Sequence, residues 1–293
     1  MQEQKLVRPE WLTVRLAGDW MGGSVSQVIQ QSNLQTVCLS AACPNIGHCY
    51  QAGTATFLIL GKVCSRDCWF CAVQSGVPAA VDPTEPYRVA MAAQQLCLQH
   101  VVITSVTRDD LTDGGARQFA ACIQAVRAAN AHLTVEVLIP DFQGNLAAVM
   151  RVLQEKPDVF NHNIETVPRI YPAVRPGADY LRSLNVLKQA GQRGDLAVKS
   201  GLMVGLGETG KEVIEVLADL RAAGVSMLTI GQYLQPSKHH IAVAEYVHPD
   251  KFAEYEQIAR QLGFKQVASG PLVRSSYHAA EFLTAYHHHT GGA

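Results

Sequence analysis

From residue 54 onward the chain alternates short apolar runs with longer stretches of helical pattern, punctuated by Gly, Pro or Asp. The runs "TATFLILG" (54–61), "HVVITSV" (100–106), "LTVEVLIP" (133–140), "DVFNHNIE" (158–165), "LAVKSGLMVG" (196–205) and "SMLTIGQYL" (226–234) predict six strands. Their helical partners are "YRVAMAAQQLCLQ", "ARQFAACIQAVRAA", "NLAAVMRVLQEK", "YLRSLNVLKQAG", "GKEVIEVLADLRAAG" and "PDKFAEYEQIARQLG". Short strands alternating with helices are the mark of βαβ units and a parallel sheet. Six units predict an α/β architecture, a partial (β/α)6 TIM barrel over residues 54–263. Residues 1–53 and 264–293 lack this rhythm and are expected to be an N-terminal and a C-terminal extension covering the barrel's ends. No repeat or low-complexity linker divides the chain, so one body is expected.

At 293 residues the chain can bury a substantial core without disulfides. Its 24 Lys+Arg against 25 Asp+Glu leave a formal charge of −1, which argues against a nucleic-acid groove or a polybasic membrane patch. The N-terminal residues lack a signal-peptide pattern and no apolar run is long enough to span a membrane, so a cytoplasmic protein is expected. In a reducing compartment clustered cysteines point to metal binding or catalysis before bridges.

That shift matters because six of the eight cysteines fall between residues 38 and 71, in two groups of three. Cys38, Cys43 and Cys49 are spaced C-x4-C-x5-C, and Cys64, Cys68 and Cys71 are spaced C-x3-C-x2-C. Structural zinc closes a tetrahedron of Cys or His, usually from paired knuckles. His48 could complete such a site in the first group. A 4Fe-4S cluster also takes one ligand per iron, and a triad leaves one iron open to something other than cysteine.

"CSRDCWFC" (64–71) resembles the C-x3-C-x-(aromatic)-C loop of the radical S-adenosylmethionine (SAM) enzymes, with Phe70 as the aromatic and Cys64, Cys68 and Cys71 as cluster ligands. In that superfamily SAM chelates the open iron, and an electron from the cluster cleaves it to a 5'-deoxyadenosyl radical. The upstream triad, together with "RSSYHA" (274–279), narrows the resemblance to the lipoyl synthase family. The resemblance implies a barrel of the radical SAM type and two 4Fe-4S clusters. The auxiliary one would be held by Cys38, Cys43, Cys49 and Ser276, and would donate sulfur to C6 and C8 of a protein-bound octanoyl-lysine. A serine oxygen is a harder ligand than thiolate, which suits a cluster meant to come apart. The implied partners are an octanoylated lipoyl carrier domain, of 2-oxoacid dehydrogenase complexes or of the glycine cleavage H protein, and an electron donor such as ferredoxin or flavodoxin. Nucleic acid and membrane are not implied.

Further segments match the family. In "ITSVTRDDLTDGGA" (103–116), Ser105 and Thr107 are candidates to meet the SAM amino group. Asn163 or Glu165 in "HNIET" could hold ribose hydroxyls, and Lys199 or Arg175 a carboxylate. No side-chain acid or base is required. The octanoyl chain calls for a partly apolar barrel mouth.

Other features carry less. "GLGETG" (205–210) fits a dinucleotide fingerprint but lies in the fifth unit, whereas that fingerprint belongs to the first; "GLMVGLGE" (201–208) better resembles the superfamily's strand that supports adenine. Cys97 and Cys122 are expected to be small core residues, and His287 to His289 a tail. Biotin synthase and methylthiotransferases also insert sulfur, but neither carries the RSSY tail. A simple iron–sulfur electron carrier would not need a barrel of this size.

Overall fold

The computed structural model describes residues 6–13, 23–40, 43, 45–51, 54–194 and 196–290. Among these, eight strands form one sheet in chain order. β1 (Gln35–Thr36) runs antiparallel to β2 (Thr54–Ile59). From there the sheet is parallel through β3 (His100–Ser105), β4 (Thr134–Leu138), β5 (Val159–Asn161), β6 (Ala197–Val204), β7 (Met227–Gln232) and β8 (Gln266–Gly270). Strands β2 to β7 are the six expected ones, and they confirm the partial barrel. They are buried almost throughout, because helices cover one face and the barrel interior the other, so their runs read as continuous Val, Ile and Leu.

Among the described residues, a 3-10 turn at Glu10–Leu12 and three α-helices precede the barrel: α1 (Gly23–Gln31), α2 (Val37–Ser40) and α3 (Ile46–Gln51). The outer layer is α4 (Glu85–Gln95), α5 (Ala116–Ala129), α6 (Leu146–Gln154), the short α7 (Tyr171–Val174), α8 (Tyr180–Gly191), α9 (Gly210–Ala222) and α10 (Pro249–Gln261), with α11 (Ala279–Thr290) closing the chain. On α9 the buried Val213, Val216, Leu217 and Leu220 lie on one face at helical spacing. Its start is set by a capping box in which Thr209 and Glu212 each satisfy the other's backbone N–H. Where α8 and α9 end, Gly191 meets Gly224, and a Cβ on Gly191 would stand 2.6 Å from the Ala223 carbonyl oxygen. None of the described helices is long and apolar enough to cross a membrane.

Three local differences from the expected pattern have physical causes. β1 and β8 come from the two extensions, the first only two residues long and the second half-exposed with little apolar content. β5 stops at Asn161 instead of continuing to Glu165. Glu165 takes a left-handed φ of 68° and rejoins β6 only through a single bridge to Leu202, so the chain bulges between them. Cys122 is buried as expected, but Cys97 is exposed. It lies just past α4 with a φ of 49°, where the helix is terminated and the chain turns away.

α11 lays Phe282 and Leu283 against Val159, Ala197 and Met227, the first residues of β5, β6 and β7. The tail therefore covers the N-terminal end of the barrel, opposite the loops that follow the strands.

Candidate active site

The chain leaves β2 through two left-handed residues, Leu60 (φ 69°) and Gly61 (φ 103°), and enters the second cysteine group. Cys64 is fixed on both sides: its N–H donates to the Gln74 carbonyl at 2.8 Å and its carbonyl accepts from Gly76 at 2.9 Å. Two backbone N–H groups point at its sulfur, from Thr107 at 3.2 Å and from Arg66 at 3.4 Å. Such donors stabilise charge on sulfur, and in iron–sulfur sites they help set the potential. Thr107 thus reaches the group through its backbone. Ser65 bridges the same two loops, donating to the Thr107 carbonyl at 3.0 Å and accepting from the Asp109 N–H at 2.9 Å.

Arg66 binds Asp109 through two nitrogens at 2.6 and 3.0 Å and Asp141 at 2.6 Å, and Arg182 reaches the other Asp141 oxygen at 3.2 Å. Loops after β2, β3 and β4 are joined by this buried network. Burial alone would raise the Asp141 pKa, but the hydrogen bonds and charge of Arg66 hold it down to about 2. These partners were not apparent from the sequence, although Arg66 sits inside the cysteine motif and Asp109 inside "TRDD".

Glu165 and Arg175 lie in the field of this cysteine group. Burial raises the Glu165 pKa, against the pull of Arg175 and of a hydrogen bond from Asn163. Arg175 donates to the Tyr171 hydroxyl at 2.6 Å and to the Asn163 carbonyl at 3.3 Å. The buried Ser105 Oγ, His162 Nε2 and Arg175 Nε have no hydrogen-bond partner among the described residues. Buried polar atoms without a protein partner are places where a ligand or an ordered water can be held. His162 was not singled out from the sequence. Its Nδ1 faces the Ile139 carbonyl at 2.8 Å and must carry the proton, because a carbonyl cannot donate; Nε2 is therefore a bare acceptor. Burial and the Arg175 charge keep the ring neutral, with its pKa lowered to about 4.

Phe70 is partly buried against the core. Lys199 is placed elsewhere, near the start of β6, where its ammonium donates to both Glu136 oxygens at 3.0 and 3.1 Å, with both side chains fully buried. The glycine run after β6 closes on itself: the Glu208 carboxylate accepts from the N–H groups of Gly205 at 2.5 Å and Leu206 at 2.9 Å.

In the first cysteine group Cys38 lies on α2, Cys49 on α3 and Cys43 in the link between them, and both helices pack beside β2. The Cys43 N–H donates to the Cys38 carbonyl and the Cys49 N–H to the Asn45 carbonyl, each at 3.0 Å. The far end of the chain comes to it. Asn45 donates to the Leu272 carbonyl at 2.7 Å, the His278 N–H reaches Cys49, and the Arg274 charge acts on Cys43. Half-buried Ser276 belongs to a turn closed by the Tyr277 N–H on the Arg274 carbonyl at 3.0 Å. His48 faces Tyr277 and His278, with ring centroids 6.1 and 4.9 Å away. His287 to His289 end α11.

At Cys43, Cys49, Cys68 and Cys71 burial works against ionisation, with repulsion from neighbouring thiols adding to it. Cys49 and Cys71 are each pushed up to about 12. Buried thiols of this kind, held at Cys43, Cys49, Cys68 and Cys71 above the ordinary range, are donors that bound iron would stabilise as thiolates. Among the described residues no His, Cys, Asp and Glu side chains converge on a single-ion site. A 4Fe-4S cluster spreads its thiolates over several irons and does not require them to converge on one ion.

A family model described as the radical SAM superfamily matches residues 58–220. The lipoyl synthase of Caldanaerobacter subterraneus subsp. tengcongensis is 56% identical over 273 residues, covering 93% of this chain and 95% of its own. That of Chlorobium limicola is 50% identical over 288 residues, covering 98% and 99%. Among solved structures, methylornithine synthase (PylB) shares the fold at a TM-score of 0.54 and 11% identity, over 87% of this chain and 82% of its own. With half or more of its residues shared along almost the whole of two such relatives, this chain belongs to the lipoyl synthase family of radical SAM enzymes, which insert sulfur using S-adenosylmethionine and a 4Fe-4S cluster.

Proposed function

We propose that this chain inserts two sulfur atoms, at C6 and C8, into a protein-bound octanoyl-lysine, and that its two cysteine groups hold two 4Fe-4S clusters with different tasks. The observation that carries this reading is the arrival of residues 272–278 at Cys43, Cys49 and Asn45, while a separate three-cysteine loop leaves the barrel after β2. Cys64, Cys68 and Cys71 would hold the cluster that binds SAM, and Cys38, Cys43, Cys49 and Ser276 the auxiliary one. When bound, these groups supply the 5'-deoxyadenosyl radical and the sulfur.

The protein's own work is positioning. The N–H groups of Thr107 and Arg66 hold charge on the Cys64 sulfur, and the Arg66–Asp109–Asp141 network keeps three loops in register around it. Ser105 Oγ, His162 Nε2 and Arg175 Nε offer a donor-acceptor, an acceptor and a charged donor to a polar ligand. Asn163 and Glu165 suit ribose hydroxyls and Arg175 a carboxylate. Lys199 holds the Glu136 carboxylate within the protein. Hydrogen abstraction from an unactivated carbon needs no acid or base; it needs carbon, radical and sulfur held in near-attack geometry with water excluded. The substrate carrier is the octanoylated domain of a 2-oxoacid dehydrogenase complex or the glycine cleavage H protein, the electron donor is a ferredoxin or flavodoxin, and the setting is the cytoplasm.

Anaerobic reconstitution with iron and sulfide, followed by turnover on an octanoylated carrier peptide, tests the assignment. About eight irons per chain are expected from two four-iron clusters. Cys43→Ala should keep SAM cleavage and lose sulfur insertion, whereas Cys68→Ala should lose both. Lipoyl product from Cys43→Ala would remove the first group as sulfur donor.

A further inference from the structure

The two serines of "RSSY" have different surroundings. Ser275 lies inside the barrel, where its Oγ accepts from Asn161 Nδ2 at 2.9 Å and donates to Asn163 Oδ1 at 3.0 Å. The same Asn161 Nδ2 donates to Glu136 Oε1 at 2.8 Å, and Glu136 takes both its charge-assisted bonds from Lys199 at 3.0 and 3.1 Å. Asn161, Glu136 and Lys199 are all 0% exposed.

The direction of this chain of bonds is imposed by chemistry. An ionised carboxylate can only accept, so Glu136 turns the Asn161 amide N–H2 inward. Ser275 then receives a donor, and its own proton is free for Asn163, whose side chain continues to Glu165. Lys199 keeps Glu136 charged and so sets the sense of the whole series. Each donor in this series meets an acceptor, with only Asn161 Oδ1 left without a partner among the described residues, and so ordered a set of buried bonds favours one arrangement of the groups it joins. Below it, Phe282 of α11 takes the Lys199 ammonium 5.2 Å over its ring. The tail is thus held at Ser275 and again at Phe282, on either side of Ser276 and the contacts to Cys49.

We propose that Asn161, backed by Glu136 and Lys199, is a positioning residue that pins the C-terminal segment through Ser275 and so presents the adjoining Ser276 to Cys38, Cys43 and Cys49. The inference rests on the reading of Ser276 as a cluster ligand. It assigns Ser275 the task of placement and leaves ligation to its neighbour.

The test uses the full chain reconstituted with both clusters. In Ser275→Ala, the backbone amides of residues 272–278 should exchange hydrogen about tenfold faster, as loss of two buried hydrogen bonds implies. Iron release from the first cysteine group to a chelator should speed up by about the same factor. Amides of α9 should exchange as in the parent, which a general loss of stability would not allow, and Ser275→Thr, which keeps the hydroxyl, should restore the parent behaviour. Parent-like exchange over 272–278 in Ser275→Ala would overturn the proposal, as would faster exchange with unchanged iron release. The ligand reading is tested separately by Ser276→Ala and the Mössbauer spectrum of the auxiliary cluster. An unchanged spectrum would remove that reading, while the exchange result for Ser275→Ala still decides whether Ser275 pins the tail.

Discussion

Arg66 places one guanidinium between two carboxylates, and its side chain is only 5% exposed against 23% for Asp109 and 0% for Asp141. The planar fork suits this task, because two nitrogens can serve Asp109 while one of them also reaches Asp141. A lysine would supply a point charge and no fork. Arg66→Ala leaves the Asp141 carboxylate buried with one cation, Arg182 at 3.2 Å, and the Gln143 N–H at 3.1 Å. Breaking a buried pair by removing one partner costs about 3–5 kcal/mol, and a loss in the lower part of that range is expected here because Arg182 remains. Urea denaturation of the apo protein reads it. A change below about 1 kcal/mol, the worth of an exposed pair, would show that the network contributes no more than a surface bridge. Arg66→Lys should fall between the parent and Arg66→Ala.

At the scale of elements, the capping box of α9 is written in four consecutive residues, "TGKE" (209–212), and its consequence is equally local. Thr209 Oγ1 accepts from the Glu212 N–H at 3.3 Å, and the Glu212 carboxylate accepts from the Thr209 N–H at 2.8 Å. Thr209→Ala should destabilise the fold by about 1 kcal/mol, which lowers the melting temperature by roughly 2 °C in a chain of this size; Thr209→Ser should cost much less. Unaltered melting of Thr209→Ala would mean that tertiary contacts alone place the helix start. The same locality explains what the sequence discloses. The six strands and their helices are periodic within themselves, and each cysteine triad is spaced within a dozen residues, so both could be read without any partner. β8 could not, since its five residues become a strand only by lying beside β7. Nor could the Lys199–Glu136 pair, whose members are 63 residues apart, or the meeting of Asn45 with Leu272, 227 residues apart. For the tail the motif resemblance supplied what spacing alone does not. The position of Lys199 on a strand is visible in the sequence, whereas the carboxylate it holds, Glu136, is not.

Acid stability is a property of the whole molecule, since the groups that govern it are buried side chains of different strands and loops of one barrel. Glu136 is enclosed by Lys199, Asn161 and His100, whose Nε2 lies 3.6 Å from it. Burial would raise its pKa, yet the Lys199 charge and the hydrogen bonds hold it down to about 2 from an ordinary 4.5. A carboxylate depressed in the fold contributes stability that is complete above its unfolded pKa and is lost as the pH falls through about 2. His162 acts earlier. Burial and Arg175 lower it to about 4 from 6.5, so the unfolded chain takes up a proton that the fold refuses, and stability declines as the pH drops from 6.5 towards 4. Each shift corresponds to about 3 kcal/mol when fully expressed. The apo protein should therefore lose about that much between pH 7 and pH 4 on account of His162, with the Glu136 contribution following below pH 4.5. His162→Gln keeps a donor for the Ile139 carbonyl and removes the titration, so its stability should change much less between pH 6.5 and pH 4. Equal slopes for the two proteins over that interval, measured by urea denaturation, would show that His162 is not the group that titrates. A steep fall below pH 4.5 in both would still be expected from Glu136, because that residue is the same in each.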